Sequence, residues 1–387
     1  MNASMATQEE KVDPTDRAHA RVAHLTSAHP RDDIRVFLKE CRSLARHGHE
    51  VTLVVADGRG DEVRDGVAIV DVGRSRGRLD RMFKATERVC RKAVELDADV
   101  YHLHDPELLP VGLRLKRRGK KVVFDAHEDV PKQLLGKHYL HPAVRRVLSW
   151  GFARFERFAC SRFDGVVTAT PYIRDKFARI NPRSIDINNF PMIGELEAAV
   201  SWGDKAEEVC YVGSIAQIRG VKELVRAMEA TRTPVRLNLV GGFAEAQVEA
   251  EVMTYPGWGK VNALGVQDRQ GVREVLGRSV AGVVTLHPII NYLDALPIKM
   301  FEYMSAGIPV IASDFDLWRT IVEESKCGLC VDPMDPAAIA SAIDHLVSHR
   351  AEAEKMGENG RQAVLSRYNW AREEAKLIEF YDRLLSS

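Results

Sequence analysis

The sequence predicts an α/β protein with two halves of similar size, each built around a mainly parallel sheet. Short β-branched runs alternate with longer segments whose apolar residues recur at helical spacing, which is typical of strands joined by helical crossovers. The alternation stops near residue 190, in a stretch that carries proline and glycine, and then resumes. With 387 residues the chain also exceeds what one hydrophobic core usually supports. We therefore expect two domains.

The first half contains six predicted strands, at residues 21–25, 51–55, 67–70, 100–103, 121–125 and 165–168. Between the first two, residues 34–48 carry apolar side chains at helical spacing and end at a glycine, which predicts a helix. Residues 1–20 are polar and of mixed charge, and we expect a disordered tail there. The first domain is therefore assigned to residues 21–190.

The second half repeats this alternation, with predicted strands at residues 208–212, 235–240, 260–264, 282–286 and 310–312. We assign the linker to residues 191–204 and the second domain to residues 205–370. In parallel α/β sheets, ligands bind outside the carboxyl ends of the strands, so a ligand site is expected at that edge of the second domain.

The net charge is zero but unevenly distributed. Residues 1–190 hold 35 Lys and Arg against 27 Asp and Glu, whereas the remainder holds 20 against 28. A basic first half suits an anionic acceptor, a lipid phosphate or a membrane surface, although a solvated basic face would give the same composition. The basic residues are not combined with aromatic residues in a known nucleic-acid-binding motif, so no nucleic-acid partner is expected.

The segment from Asp294 to Pro309 gives the strongest functional indication. Its two carboxylates, Asp294 and Glu302, lie eight residues apart, and Glu302 is on a predicted helix. The N-terminus of such a helix presents backbone N–H groups to a diphosphate, here at Ile298 and Lys299. A carboxylate on the preceding loop can accept hydrogen bonds from sugar hydroxyls, and one on the helix can accept them from ribose hydroxyls.

This segment resembles the E-x7-E signature of the family 4 retaining glycosyltransferases, with aspartate at its first position. That family has the GT-B fold, in which two Rossmann-like domains face each other across a cleft. The resemblance implies that Asp294 contacts the transferred sugar and that Glu302 contacts the ribose. It also implies that the C-terminal helix, residues 371–387, returns to pack on the first domain.

A second element leads from a predicted strand through Gly213 into a helix. Members of the family usually carry an arginine after this glycine and a lysine five residues further on, and both cations hold the leaving diphosphate. Here these positions are Ser214 and Arg219. Cations at a departing phosphate stabilise the charge that grows there in the transition state. We hypothesise that Lys299 replaces the missing arginine, and a solvated lysine at the helix start is the alternative.

The family's nucleobase loop corresponds to Gly265 and Val266, which would bracket the base through backbone groups. Such recognition leaves no side-chain pattern that identifies the base. We favour a UDP-sugar donor and keep a GDP-sugar as the alternative. GT-B enzymes hold the diphosphate with protein cations and helix ends. The resemblance therefore implies no metal and no cofactor besides the donor itself.

Three polar motifs in the first half, HPRDDIR from His29, HDPE from His104 and HED from His127, lie near predicted strand ends. Together they resemble a bacterial subgroup of the family that builds surface polysaccharides. The resemblance places His127 beside the sugar and the acceptor, where an imidazole can orient or polarise a hydroxyl. A structural hydrogen bond is the alternative for this histidine. The candidate acceptor contacts are Asp33, Arg35, Asp105 and Glu128.

Residues 145–163 combine five arginines and one glutamate with aromatic side chains. This composition suits a helix on a membrane surface. The corresponding helix of the GT-B fold packs on the sheet, so we favour a core position.

We therefore expect a retaining, metal-independent glycosyltransferase that moves a sugar to a glycan, a lipid-linked or a small-molecule acceptor in polysaccharide or glycoconjugate biosynthesis. It would act in the cytoplasm or at the inner face of the cell membrane, with peripheral membrane contact through the basic first domain. Two alternatives remain open: a UDP-sugar epimerase of the same fold, and a catalytically idle binding or scaffold protein.

Overall fold

The computed structural model describes residues 19–137, 140–197 and 200–386. They form two α/β domains, one with an eight-stranded and one with a six-stranded sheet, which confirms the predicted fold class. The predicted tail falls almost entirely on residues 1–18 and so lies outside the described residues. Within the described ranges, no helix is both long and apolar enough to cross a bilayer.

The strands of the first sheet are β1 (Arg21–Leu25), β2 (Glu50–Val55), β3 (Glu62–Arg64), β4 (Val67–Asp71), β5 (Val100–Leu103), β6 (Lys121–Ala126), β7 (Gly165–Thr168) and β8 (Ser184–Asp186). Their order is β3-β4-β2-β1-β5-β6-β7-β8, and only β3 runs antiparallel to its neighbour. The sequence patterns did not predict β3 and β8, which are three residues long. Asp65 and Gly66 have positive φ and close a two-residue hairpin before β4, a turn for which Asp-Gly is the usual sequence signal.

The predicted helix at 34–48 begins as a π-helix, Ile34–Cys41, and continues as α1 (Arg42–Arg46). Gly48, with φ of 93°, follows its end. The other α-helices of this domain are α2 (Arg78–Asp80), α3 (Thr86–Leu96), α4 (Leu109–Lys116), α5 (Val130–Leu135), α6 (Pro142–Cys160) and α7 (Pro171–Ala178). Helices α3, α4, α6 and α7 share one apolar core on one face of the sheet, and the π-helix packs on the other face.

The second sheet contains β9 (Glu208–Val212), β10 (Arg236–Val240), β11 (Val261–Gly265), β12 (Ala281–Val284), β13 (Val310–Ser313) and β14 (Gly328–Val331). It is fully parallel, in the order β11-β10-β9-β12-β13-β14. Its helices are α8 (Val221–Ala230), α9 (Ala246–Val252), α10 (Arg269–Arg278), α11 (Ile298–Ser305), α12 (Asp316–Ser325), α13 (Pro336–Ser348) and α14 (Arg350–Ser366). They cover both faces of the sheet with two buried apolar clusters.

The C-terminal helix α15 (Trp370–Leu385) packs on the first sheet, beside the π-helix. Its Tyr381 is fully buried, with the hydroxyl 2.9 Å from His102 Nδ1. Its Glu373 accepts a hydrogen bond from the backbone N–H of Asn188. The chain therefore crosses between the domains twice, and α15 completes the core of the first domain from the far end of the sequence.

The expected core position of residues 145–163 is wrong for most of that segment. In α6 only Ser149, Glu156, Ala159 and Cys160 are buried, and these lie on the side that faces the sheet. The opposite side of the helix exposes Val147 and Trp150 at 67% and 66%. The sequence could not distinguish these faces because aromatic and arginine side chains occur on both.

Candidate active site

A cavity of about 430 Å³ lies between the two domains. The first domain contributes Arg35, His127 and Glu128 to its lining, and the second contributes Asp294 and Ile298. The structure therefore brings together five of the residues that the sequence singled out. They come from distant parts of the chain, and they meet because parallel strands deliver their following loops to one edge of each sheet.

The loop after β9 lies against Lys299 of α11. Gly213 has φ of 123°, and a Cβ at this position would lie 3.4 Å from Lys299 Nζ. Gly220, just before α8, cannot be replaced, since a Cβ there would lie 1.9 Å from the carbonyl oxygen of Thr285. The glycines thus allow the backbone to pass close to Lys299 and to β12.

Lys299 has a buried amine with no hydrogen-bond partner among the described residues. Its Nζ lies 3.7 Å from the centroid of the Tyr211 ring. Burial, with a smaller effect of the nearby Arg219 charge, lowers the pKa of Lys299 to about 7. Arg219 Nη1 donates to the carbonyl oxygen of Ser214 at 3.4 Å. Two basic side chains therefore lie close together at the loop, and no carboxylate in the described part of the chain binds either of them.

The N-terminus of α11 has no side-chain cap, because Pro297 occupies the cap position. Its first backbone N–H groups, at Ile298 and Lys299, are consequently available to an anion. One turn further on, the buried carboxylate of Glu302 accepts a hydrogen bond from Arg269 Nη1 at 2.7 Å. Arg269 also donates to Glu195. Sequence reasoning missed Arg269 and Glu195, since neither belongs to a recognisable motif.

Asp294 connects the two domains. Its Oδ2 accepts from Lys132 Nζ, on α5, at 2.5 Å. Burial lowers the pKa of Lys132, but the hydrogen bonds to Asp294 and Tyr172 and the Asp294 charge together outweigh it, so the pKa is raised. The Lys132 ammonium also lies 4.4 Å from the centroid of the Tyr172 ring. The ion pair lines the cavity, so any ligand of Asp294 meets Lys132 as well, and no sequence signal pointed to this lysine.

Asp125, at the end of β6, organises the first-domain side of the cavity. Its fully buried carboxylate accepts from Arg35 Nε at 2.9 Å and from Arg35 Nη2 at 2.8 Å. Burial raises the pKa of Asp125, but the charge of Arg35, together with smaller contributions from the neighbouring imidazoles of His104 and His127, holds it well below its ordinary value. The neighbouring Glu40 is the opposite case, because burial and the Asp125 charge raise its pKa well above the ordinary value. The environment thus favours the ionised form of Asp125 and the protonated form of Glu40, and the two carboxyl groups share one arginine.

His127 takes its orientation from Asp125. Its Nε2 lies 2.9 Å from Asp125 Oδ2. An ionised carboxylate can only accept, so the imidazole must donate from Nε2, which leaves Nδ1 as the nitrogen available to a ligand. His104 approaches the same oxygen at 3.4 Å, and burial lowers the pKa of His104 to about 4. His127 is therefore the accessible end of a buried polar network.

Two predicted acceptor residues support the loop after β1 and do not line the cavity. The carboxylate of Asp105, 3% exposed, accepts from the backbone N–H of Ser27 at 2.6 Å and from the Thr26 hydroxyl at 2.8 Å. Asp33 caps the π-helix by accepting from the N–H groups of Arg35 and Val36. These contacts favour a positioning role for both carboxylates over the predicted contact with an acceptor.

The other two predicted acceptor residues line the cavity. Arg35 is 4% exposed, and its guanidinium is bound by Asp125 and by the Ile187 carbonyl oxygen. Little of it remains for an acceptor, so its contacts favour a positioning role too. Glu128 hydrogen-bonds Gln133 of α5 and stays a candidate contact.

The predicted nucleobase loop lies at the carboxyl end of β11. Gly265 has φ of 65°, and its carbonyl oxygen accepts from the N–H of Gly241 at 2.8 Å. Val266 is 80% exposed and reaches towards Gly242. Both residues are accessible at the strand ends beside the Gly213 loop, and their contact with a base stays a prediction.

Two groups of described side chains are spaced so that they could hold a metal ion: His24, Glu40, His102 and His104, and His104, Asp125 and His127. In each group, one carboxylate is already bound by Arg35. Its Nε lies 3.1 Å from Glu40, and its guanidinium binds Asp125. The expected independence from metal therefore stays a prediction.

Comparison with known proteins identifies both halves of the chain. Residues 34–191 match the model described as "Glycosyl transferase 4-like domain", and residues 193–363 match "Glycosyl transferases group 1". A phosphatidyl-myo-inositol mannosyltransferase of Mycobacterium leprae is 31% identical over 311 residues, which span 78% of this chain and 77% of the relative. The chain belongs to the family 4 glycosyltransferases.

Other matches are more partial or more distant. The chain spans about half of an alpha-maltose-1-phosphate synthase of Mycobacterium tuberculosis, with 29% identity over 184 residues, 45% of this chain and 47% of the relative. Sucrose-phosphate synthase from Thermosynechococcus elongatus has a TM-score of 0.77 and 19% identity, covering 95% of this chain and 99% of its own. HepE of Anabaena, solved in complex with UDP-glucose, has a TM-score of 0.73 and 15% identity, covering 94% and 100%. These likenesses show the GT-B fold.

The network around Asp125 predicts the tautomer of His127. At neutral pH we expect the Nε2–H form to dominate, because the ionised carboxylate accepts from that nitrogen. Long-range ¹H–¹⁵N correlation spectra of the imidazole, assigned with a His127→Gln variant, report the tautomer directly. In Asp125→Asn the anion is lost and the two tautomers should become comparable, whereas Asp129→Asn, on the neighbouring loop, should leave the spectrum unchanged. A dominant Nδ1–H form in the wild type would contradict the assigned role of Asp125.

Proposed function

We propose that this glycosyltransferase transfers a sugar from a nucleoside-diphosphate sugar to an acceptor hydroxyl with retention of anomeric configuration and without a metal ion. The observation that carries the proposal is the unpartnered amine of Lys299 beside Arg219 and the uncapped start of α11. Three sources of positive potential lie near one loop, and no carboxylate of the described residues is bound to them, which suits a diphosphate.

On the donor side, Lys299, Arg219 and the N–H groups of Ile298 and Lys299 would bind the diphosphate. Glu302 would accept from the ribose hydroxyls, and Asp294 from hydroxyls of the sugar. The base would lie on the Gly265–Val266 backbone. UDP is our first choice of nucleotide, which agrees with the UDP-glucose complex of the similarly folded HepE, and GDP is the second.

On the acceptor side, His127 would hold the sugar or the attacking hydroxyl through Nδ1. The anomeric carbon loses its bond to the phosphate oxygen and gains one to the acceptor oxygen on the same face. The acceptor proton passes to the departing phosphate. Asp294 is held by Lys132, so it is a poor nucleophile, and a covalent glycosyl-enzyme of the kind used by retaining glycosidases is not invoked.

The acceptor would be a glycan, a glycolipid or a small hydroxyl compound of polysaccharide or glycoconjugate biosynthesis, reached from the cytoplasm. Two other functions would use the same donor cavity. A UDP-sugar epimerase would return an isomerised nucleotide sugar, and a scaffold protein would bind the donor without turnover.

Donor turnover tests the proposal. Thermal unfolding in the presence of UDP-, GDP- and ADP-sugars should identify one donor that raises the midpoint, because a ligand that binds only the folded state stabilises it. With that donor and a mixture of glycan, lipid and polyol acceptors, NMR and mass spectrometry should detect a glycoside that keeps the anomeric configuration of the donor. EDTA should leave the rate unchanged.

Each alternative result has a distinct meaning in this experiment. An isomerised nucleotide sugar would establish the epimerase, and stabilisation without any product would establish the scaffold. Failure of every nucleotide sugar to stabilise the folded protein would contradict the donor site. Loss of activity in EDTA that a divalent ion restores would contradict the metal-independent mechanism.

The pKa of Lys299 predicts how nucleotide binding depends on pH. Below pH 7 the amine is already protonated in the free protein, whereas above pH 7 it must take up a proton to bind a diphosphate. The affinity of the wild type for UDP should therefore fall as pH rises above 7, by at most about tenfold per pH unit for one linked proton. Lys299→Met should bind about 10- to 100-fold more weakly at pH 6, as expected for a lost charge-assisted hydrogen bond.

Isothermal titration calorimetry from pH 6 to 9 measures both effects. Because the phosphates themselves titrate, the informative quantity is the ratio of wild-type to Lys299→Met affinity at each pH. The matched control is Lys222→Met, since the Lys222 ammonium pairs with Glu251 on the surface of the same domain. A ratio of wild-type to Lys299→Met affinity near one at every pH would show that Lys299 does not bind the diphosphate.

A further inference from the structure

Helix α6 carries an exposed apolar stripe. Val144, Val147, Leu148, Trp150 and Phe158 are all exposed, while the opposite side of the helix packs towards the sheet. A second exposed apolar group, Leu79, Met82 and Phe83, immediately precedes α3. Helices α3 and α6 cover the same face of the first sheet, and each begins near the edge where the parallel strands end. The second group and the start of the stripe therefore lie on the same side of the first domain.

The stripe is surrounded by positive charge. Arg146, Arg154 and Arg157 are exposed on α6, and no carboxylate among the described residues pairs with any of them. The only acidic residue of the helix, Glu156, is buried and pairs with Lys176 at 2.6 Å. Arg162, just after the helix, lies 3.7 Å from the centroid of the exposed Phe158 ring. The outward face thus combines apolar and cationic side chains and presents no anion.

This combination identifies the occupant of the face. Apolar side chains flanked by arginines are the composition of helices that lie in the interface of an anionic bilayer, with the guanidinium groups at the phosphates. A second copy of the chain fits poorly, because the same arginines would oppose each other across a symmetric contact. The arginines also favour a phosphate-rich surface over an uncharged partner.

Helix α6 is connected to the cleft through α5. The Ser149 hydroxyl of α6 donates to the carbonyl oxygen of Pro131 at 2.8 Å. Pro131 belongs to α5, whose Lys132 binds Asp294 across the cavity. A surface that touches α6 is therefore connected through one short helix to the side of the cleft where the acceptor is expected.

We propose that the outward face of α6, together with residues 79–83, docks the glycosyltransferase on an anionic lipid bilayer. The apolar stripe enters the headgroup region, and the arginines contact lipid phosphates. Docking by this route presents the first-domain side of the cleft to an acceptor held in the membrane. It goes beyond the proposed transfer reaction, and vesicle binding without donor can fail while transfer to a water-soluble acceptor succeeds.

Sedimentation with vesicles tests the proposal. The full chain should bind vesicles of phosphatidylcholine mixed with phosphatidylglycerol, bind pure phosphatidylcholine weakly, and dissociate as salt is added. The variants Val147→Ser/Trp150→Ser and Arg146→Glu/Arg154→Glu should each weaken binding by about tenfold or more. The matched control Arg232→Glu/Arg236→Glu makes the same charge change on exposed arginines of the second domain and should bind like the wild type.

A second measurement needs no destabilising variant. Lipids with brominated acyl chains quench a tryptophan that they touch, so wild-type fluorescence should fall on vesicles, and Trp150→Phe should lose most of that change. Equal binding by all variants, or no quenching attributable to Trp150, would overturn the proposal. Absence of vesicle binding would also overturn it. If the α6 variants then turned a dimer into a monomer, the face would be the contact between two copies.

Discussion

One buried charge shapes the first domain: the carboxylate of Asp125 has no access to solvent. An isolated buried anion is very costly, so it must be matched by cations and hydrogen-bond donors. Arg35 supplies both from the π-helix, whose start Asp33 caps, and His127 supplies one more donor from the loop after β6. Arg35 and His127, which lie in two separate sequence motifs, thus converge on one carboxylate. As a result, His127 has a fixed orientation at the wall of the cleft.

The second domain holds a buried amine, that of Lys299, without a matching anion among the described residues. Among the described residues, the amine of Lys299 is buried beside Tyr211 without a hydrogen-bond partner, and the nearby Arg219 donates to the carbonyl oxygen of Ser214. In the first domain the buried carboxylate of Asp125 is matched by protein groups. In the second domain an anionic ligand would match the amine of Lys299. Asp294 and Lys132 join the two at the cavity, so the ion pair couples donor contacts to the position of the first domain. In the proposed function, the basic groups of the second domain bind the donor and the imidazole of His127 faces the sugar.

Sequence patterns predicted the architecture well because parallel strands are short, apolar and evenly spaced. They also identified the segment 294–309, where spacing and residue type repeat a family signature. They missed contacts that depend on three dimensions. Lys132 belongs to no motif, Asp105 lies beside a catalytic-looking histidine yet caps a loop, and α6 mixes apolar and basic residues on both sides. Such details depend on which way each side chain points, which linear spacing does not encode.

In the proposed complex, the positive loop of the second domain binds a diphosphate while His127 faces the sugar. A crystal structure with the nucleoside diphosphate of the stabilising donor tests this arrangement. Phosphate oxygens should lie about 3 Å from Lys299 Nζ and from the first N–H groups of α11, with the ribose hydroxyls on Glu302. A nucleotide bound in another cavity, or with its phosphates away from Lys299 and Arg219, would contradict it.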